Sequence, residues 1–264
     1  MAPSRLPSRI AVIGRGRLGT ALTKAIKECK SFSLVAHVPA RATTYKKLRA
    51  VQPEVLIIAC KDDQISDVAQ KALADAGETV QLLIHCAGSA GPTVLPKIKG
   101  VSRLMLHPLQ TFATSDPLLF AGISFGACCT DPSAMAWAKR FTSELGAQQV
   151  LSLREDDLPL YHALAVLSSN AITLLGATIE VVSSRISQSE STMKRALTPL
   201  MRQAFRNVMT QKASQVLTGP LVRGDSVTLQ KHLRSLKQVS PELRHLYAAF
   251  SAFAKAHVVK SSKA

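Results

Sequence analysis

Three glycines are the first residues of this chain whose type and spacing imply chemistry. Gly14-Arg15-Gly16-Arg17-Leu18-Gly19 has the Gly-x-Gly-x-x-Gly spacing at which a strand turns into a helix around a pyrophosphate. Gly14 would allow the tight turn, Gly16 the close approach of phosphate to backbone, and Gly19 close packing of helix on strand. The helix N-terminus adds free N–H groups and the positive end of a dipole. Alone such a pattern is weak. Here it follows an apolar run at 10–14 and opens a helical pattern with Leu18, Leu22, Ala25 and Ile26 in phase, which makes it a strong dinucleotide signal. Arg15, Arg17 and Leu18 are counted with the glycines as cofactor contacts. Cys60 and Lys61, at the end of the third apolar run, are counted with them.

The second signal is a missing acid. Folds that prefer NAD carry Asp or Glu at the end of the second strand, where it binds the ribose hydroxyls. Here the stretch Ala36-His37-Val38-Pro39-Ala40-Arg41-Ala42-Thr43-Thr44 holds no acid, and Arg41 is followed by Lys46 and Lys47. A 2′-phosphate would be welcomed there, so the sequence predicts NADP(H) over NAD(H).

Candidate catalytic groups lie in the second half. After Pro159 comes Leu160-Tyr161-His162, then Ser169-Asn170. At 100° per residue His162, Ser169, Thr173 and Glu180 fall within about 20° of one direction, a narrow polar stripe on an otherwise apolar helix. Buried polar groups need partners, so the stripe is either a hydrogen-bonded interface or the wall of a site. A structural histidine is the plain reading of His162; its place at the junction of two kinds of sequence argues for the site. His107-Pro108-Leu109-Gln110 follows a strand, where ligands of α/β sheets gather. Thr218–Asp225 reads as a fixed loop whose Arg223 could fork onto a carboxylate.

The elements that must position these residues follow from periodicity. Apolar runs at 10–14, 34–38, 54–60 and 80–86 read as strands, with helices at 18–26 and 65–76 between them. Further strands are expected at 103–107, 123–129 and 147–151, with a helix at 132–145. Strands alternating with helices imply a mostly parallel sheet covered on both faces. From 156 to 256 the pattern is almost only helical, with helices expected at 158–184, 190–210, 226–237 and 241–256. The fold class is therefore α/β: a Rossmann-like dinucleotide-binding domain over 1–151, then an all-helical substrate and dimerisation domain over 152–264. The short polar or basic ends, 1–9 and 260–264, are expected to be disordered.

Composition narrows the classes. The chain has 264 residues, 47% hydrophobic and 19% charged, which is globular. Its net charge of +16 raises nucleic acid, but the basic residues are spread evenly, with no basic tail, and aromatic residues are only 5%. A solvated basic surface that favours anionic ligands is the simpler expectation, with no nucleic-acid partner. Cys29, Cys60, Cys86, Cys128 and Cys129 are odd in number and contain no Cys-x-x-Cys, so neither a disulfide framework nor a metal site is expected. No secretory leader is visible. The most apolar segment, 163–182, is broken by Ser168, Ser169, Asn170, Gly176 and Glu180 and reads as a buried helix of a soluble, cytoplasmic protein and not as a membrane span.

Together the glycine loop, His85-Cys86-Ala87-Gly88, His107-Pro108-Leu109-Gln110, Tyr161-His162 with Ser169-Asn170, and the Thr218–Asp225 loop followed by His232-Leu233 resemble the bacterial family joining a Rossmann-like domain to the helical domain of unknown function 2520. The resemblance runs from about residue 9 to about residue 256. The wider group is similar to the 6-phosphogluconate dehydrogenase-like superfamily, with ketopantoate reductases, pyrroline-5-carboxylate reductases and prephenate dehydrogenases. It implies a homodimer through the helical domain and NADPH-dependent reduction of a small 2-oxo acid, ketopantoate-like. An imine reductase of the pyrroline-5-carboxylate type and a non-catalytic NADP-binding regulator are the alternatives. One departure matters. Ketopantoate reductases carry Lys, three residues, then Asn, and here Val166 stands four before Asn170, so that proton donor is not carried over. His162 resembles the histidine that precedes a Ser-His pair in prephenate dehydrogenases and is the better candidate for the proton donor, with Ser169 and Asn170 orienting the carbonyl and Arg223, or an arginine of the dimer partner, holding the carboxylate.

Overall fold

The computed structural model describes residues 6–41 and 45–259. The chain divides into two compact units, Met1–Ser169 and Asn170–Ala264. The change of texture at 151 precedes that division because the division falls inside one helix.

The first unit is built on a seven-stranded sheet in the order β2-β1-β3-β4-β5-β6-β7. The strands are β1 (Arg9–Ile13), β2 (Ser33–Val38), β3 (Val55–Ile58), β4 (Leu82–His85), β5 (Ser102–Pro108), β6 (Ser124–Cys129) and β7 (Gln149–Ser152). The helices of this unit are α1 (Arg17–Lys27), α2 (Lys47–Val51), α3 (Ile65–Ala76), α4 (Pro132–Glu144) and the beginning of α5 (Leu158–Ser183). Strands β1 to β5 run parallel, as the alternation of strands and helices implies. β6 runs antiparallel to β5. The segment between them, 109–123, contains only a short 3₁₀ turn at Pro117–Phe120, so it lacks the α-helix that usually carries a chain back to a parallel strand.

Alternate strand residues fill two cores. Ile10, Val12, Val55, Ile57, Ile84 and Leu104 face the α1 and α4 side, with Trp137 stacked on Phe141. Ala11, Ile13, Leu56, Ile58 and Leu83 face the α2 and α3 side, with Leu48, Ile65 and Val68. A third, small cluster of Met105, Cys128 and Leu158 seats the start of α5 on β5 and β6, with Tyr161 packed against it. The expectation of a disordered start fails at its inner edge: Arg9 opens β1, and the Ser8 N–H donates to Glu54 Oε2 at 2.6 Å.

The second unit holds the rest of α5 with α6 (Glu190–Thr210), α7 (Ala213–Val216), α8 (Ser226–Val239) and α9 (Pro241–His257). Its helix starts are capped as physics favours. Asp225 accepts from the Thr228 N–H at 3.0 Å, and Ser240 from the Leu243 N–H at 3.2 Å. Among the described residues of this unit only Ser183 is buried. The expectation that 163–182 is a buried helix is therefore corrected. α5 exposes Leu164 (64%) and Leu167 (66%), and by length and composition it is long and apolar enough to cross a membrane.

Candidate functional site

The glycine loop forms as its spacing predicts. Gly14 sits at φ +127°, and a Cβ there would lie 2.0 Å from the Ala59 carbonyl oxygen. A Cβ on Gly19 would lie 2.1 Å from the Gly14 oxygen. Both glycines are needed by the protein itself. Gly16 is different: a Cβ there would meet no protein atom within 4 Å. It is the N-cap of α1, with no side chain capping the helix and no acid in the first turn. The open space and uncapped N–H groups suit an anion, and the loop can hold the pyrophosphate of a dinucleotide.

The end of β2 lies beside this loop. The Gly14 N–H donates to the Val38 oxygen at 2.8 Å, the His37 ring nitrogen Nε2 lies 2.9 Å from the Gly14 oxygen, and Arg15 reaches the His37 oxygen at 3.3 Å. Arg15, Arg17 and Arg41 are exposed. Tyr45 closes the loop after β2: its hydroxyl donates to the Ala40 oxygen at 2.7 Å, and its N–H donates to Asp75. Ala42, Thr43 and Thr44 of the acid-free stretch lie outside the described residues. Cys60 and Lys61 follow β3. Burial pushes the Cys60 thiol up to about 11 and the Cys86 thiol up to about 12, so neither is a thiolate nucleophile near neutrality.

Register sets the ends of four parallel strands in a row, Ile13 beside Ile58, Ile58 beside His85, and His85 beside Met105. His85 is buried, and burial lowers its basicity. The Ala87 N–H donates to its Nδ1 at 3.2 Å, so its proton sits on Nε2, which donates to the Gly91 oxygen at 3.0 Å. This one side chain folds the segment after β4 back on itself. Glu155 rests over Gly91 and accepts from the Thr93 hydroxyl.

Beyond that loop, three strand steps from β1 and so about 14 Å away at ~4.8 Å per step, lies a cavity of about 550 Å³. Its polar lining is His107, Gln110, Thr111, Tyr161, His162, Ser168 and Ser169; Leu109, Leu151 and Leu164 supply apolar walls. Among the described residues no Asp, Glu, Lys or Arg lines it. His107 Nδ1 is 3.0 Å from the Tyr161 hydroxyl. The His107 and His162 rings meet edge to face at 5.4 Å. His107 is held down to about 4 by burial first and then by the neighbouring His162 and His85. His162 Nδ1 is buried without a hydrogen-bond partner, the state of a group that a bound molecule would complete.

Two glycines make room for this cluster. A Cβ on Gly88 would lie 2.5 Å from His162 Nδ1 and 2.9 Å from His107 Nδ1, and one on Gly126 would lie 2.3 Å from the Tyr161 hydroxyl oxygen. The segment His85-Cys86-Ala87-Gly88 thus matters for packing under the histidines.

Of the expected catalytic residues, the structure brings His162 and Ser169 to one cavity. Ser169 Oγ donates to the Ala165 oxygen at 3.1 Å. Asn170 and Arg223 belong to the second unit. Arg223 is exposed in a loop whose Gly219 and Gly224 take positive φ and whose Asp225 caps α8. Glu180, at the far end of the polar stripe, pairs with Lys194 at 3.0 Å. In the sequence His107 opens the motif at a strand end and Tyr161 stands beside His162 in another, with nothing to link the two. Their pairing joins residues 54 apart, and no spacing rule reaches that far.

Residues 123–253 match the family model described as Domain of unknown function (DUF2520), and the chain carries that domain. The sequence matches no curated protein. In fold the chain is similar to a Bacteroides fragilis protein described as an NADP oxidoreductase, at 22% identity over 93% of this chain and 97% of that one, with a TM-score of 0.74. It is similar to the pyrroline carboxylate reductase of Plasmodium falciparum, solved with NADP bound, at 14% identity over 92% and 97% with a TM-score of 0.61. It is also similar to the imine reductase of Myxococcus stipitatus in complex with NADP+, at 17% identity over 96% of each chain with a TM-score of 0.63. These likenesses establish the fold as a Rossmann-like sheet followed by a helical region.

Proposed function

We propose that this chain is a cytoplasmic NADP(H)-dependent reductase of a small carbonyl compound, a 2-oxo acid of the ketopantoate kind. The observation that carries this is the cavity lined by two histidines, a tyrosine and two serines, without a carboxylate, on the same sheet as a glycine loop whose Gly16 leaves space only a ligand would use.

The donor set fits the cofactor. Gly14, Gly16 and Gly19 shape the pyrophosphate turn, Arg15 lies within that turn, Arg17 and Leu18 begin the helix after it, Cys60 and Lys61 follow β3, and Arg41 is the cation for a 2′-phosphate. The solved relatives named with NADP support the same assignment. When bound, the reduced nicotinamide supplies a hydride. The chain's own residues do the rest. When hydride reaches a carbonyl carbon, negative charge grows on oxygen, and N–H and O–H donors stabilise it. His162 donates the proton that completes the alcohol. Ser169 and Asn170 orient the carbonyl. The first unit's cavity has no cation for a carboxylate, so Arg223, or an arginine of a partner copy, is the residue to test for that task.

Carbonyl is preferred to imine because of charge. An iminium loses positive charge as it is reduced, and a carboxylate would be the fitting neighbour of such a cation; none lines the cavity. The imine reading keeps support from the relatives that reduce pyrroline carboxylate or imines. The second unit's exposed apolar residues, among them Leu175, Met201 and Phe205, are the surface on which a second copy would sit, giving a homodimer through the helical region.

The test is NADPH oxidation across a panel of 2-oxo acids and cyclic imines. Turnover of a 2-oxo acid with preference for NADPH over NADH is expected. Turnover of cyclic imines alone would replace the carbonyl reading, and tight NADPH binding with no turnover would make the chain a binding protein.

A further inference from the structure

We propose that His107 is a second catalytic residue of this cavity, donating its Nε2–H to the carbonyl oxygen of the substrate, and that Tyr161 is the positioning residue that fixes it in that tautomer. The inference rests on the carbonyl-reductase reading and deepens it.

The argument begins with two notches in the backbone. His107 stands directly opposite Gly126 in the antiparallel pairing of β5 and β6. With no side chain at Gly126, the Tyr161 phenol enters the space and its oxygen comes within 3.0 Å of His107 Nδ1, ring edge against ring face at 87°. On the other side of β5, the bare Gly88 lies against the same imidazole and against His162. His107 is thus flanked by Tyr161 over Gly126 and by the segment after β4, and it stands on a strand and not on a loop.

Protonation and the backbone together set the direction of the hydrogen bond. Burial pushes the Tyr161 phenol up to about 12, so it keeps its proton, and the Gly126 N–H is directed at its oxygen, which leaves the phenol's own O–H for His107 Nδ1. Burial, then His162 and His85, holds His107 down to about 4, so the ring is uncharged at neutral pH. A neutral imidazole has one N–H and one lone pair, and the partner of one nitrogen decides the state of the other. With the phenol donating to Nδ1, the imidazole proton sits on Nε2. Among the described residues Nε2 makes no hydrogen bond, and His107 lines the cavity.

The two histidines therefore divide the work. They lie 5.4 Å apart, and two imidazolium ions at that distance repel, so the pair carries at most one charge. As a C–H bond forms at the carbonyl carbon from the hydride of the reduced cofactor, the π pair of the C=O moves to oxygen. That oxygen takes the proton of His162, which is left neutral and is reprotonated from solvent. His107 keeps its proton throughout and holds the oxygen by a hydrogen bond that strengthens as the charge grows.

The experiment uses the full chain. Nitrogen-15 NMR of labelled imidazoles, without cofactor or substrate, is expected to show His107 as the Nε2–H tautomer, uncharged down to about pH 4, with Tyr161→Phe mixing the tautomers. In turnover of the 2-oxo acid found in the panel, His107→Ala is expected to lose roughly 10²–10³ in kcat with NADPH affinity unchanged. His107→Gln, whose amide can still donate, is expected to recover part of that loss, and circular dichroism of both variants separates catalysis from misfolding. An Nδ1–H tautomer in the wild type, or wild-type turnover in a folded His107→Ala, overturns the inference and leaves the reductase reading standing. Absence of carbonyl turnover by the wild type instead overturns the reading and the role of His107 with it.

Discussion

The first unit buries Ile10, Val12, Ile57, Ile84 and some thirty other apolar side chains on the two faces of its sheet, whereas the described residues of the second unit bury Ser183 alone. The second unit is not poorly formed. Ser189, Asp225 and Ser240 cap its helices, and α8 and α9 pair through His232 and Tyr247 at 2.8 Å. Yet Leu200, Phe205, Met209 and Phe253 remain more than half exposed. Caps and propensity start helices, but packing of an apolar face is what stabilises them in proteins. The difference teaches where fine geometry can be kept. A site that depends on fractions of an ångström belongs on the close-packed sheet, and the His107–Tyr161–His162 cluster lies there. The second unit offers surface.

The sharpest way to break this comparison is to remove the chemistry from the first unit while leaving its packing alone. His162→Ala is expected to lower turnover by roughly 10²–10⁴-fold with the melting midpoint nearly unchanged, because the buried His162 Nδ1 makes no hydrogen bond for the substitution to break. Unchanged turnover in steady-state kinetics would move the proton donor elsewhere. Gly88→Ala tests the same cluster through the backbone. Its Cβ would meet both histidines, so a displaced ring and a loss of about 10² in kcat are expected, with the sheet intact by circular dichroism.

The glycine loop gives a comparison within the first unit. Gly14→Ala and Gly19→Ala force a Cβ into backbone atoms at 2.0 and 2.1 Å and are expected to lower thermal stability. Gly16→Ala has open space around it and is expected to shift stability by less than about 0.5 kcal/mol, yet to weaken NADPH binding measured by calorimetry. If Gly16→Ala binds NADPH as tightly as the wild type, the open space is not the pyrophosphate seat.

Much of this was legible in the sequence because it is local. Residues 65–76 and 190–210 carry a clear helical period and are the helices α3 and α6 to the residue. The Gly14–Gly19 turn depends on six consecutive residues and the strand before them. What stayed hidden is long-range. Reversal of β6 is a matter of which way the strand pairs with β5, a tertiary fact. The roles of Gly88, Gly91 and Gly126 appear only when the first turns of α5 lie over them. The exposure of α5 is not legible because an apolar helix implies burial against something, without saying whether that something is in the same chain.

That last point gives the next prediction. If a second copy covers the apolar surface of the second unit, the melting midpoint of the wild type rises with protein concentration and light scattering gives twice the chain mass. Phe205→Glu should make the midpoint independent of concentration. A wild type that is monomeric at all concentrations would remove the dimer.

The smallest expected effect returns to the first unit and to acid. His107 is held down to about 4 in the fold, against an ordinary value of about 6.5 in an unfolded chain. Between those values the unfolded chain binds a proton that the folded one refuses, so stability rises with pH across that window and is lost as pH falls from about 6.5 toward 4. His85, lowered by burial, acts in the same sense. After allowance for screening of a partly exposed ring, the contribution of His107 is about 1 kcal/mol, or roughly 2–4 °C in melting midpoint. Carboxylates act lower on the scale. Burial alone would raise Asp131 and Glu144, but hydrogen bonds, led by those from Ser133 and Ser31, hold both below their ordinary values. Their contribution is present at higher pH and fades as pH falls through the carboxylate range, beginning for Glu144, whose ordinary value is 4.5, at the acid end of the histidine window. His107→Gln should therefore flatten the melting curve between pH 6.5 and 4, leaving a residual slope from His85 and, at the acid end, from Glu144, and an unchanged fall at lower pH. A full slope in that variant would mean that the proton is refused somewhere other than the cavity, and the close packing of the first unit would no longer explain the uncharged state of His107.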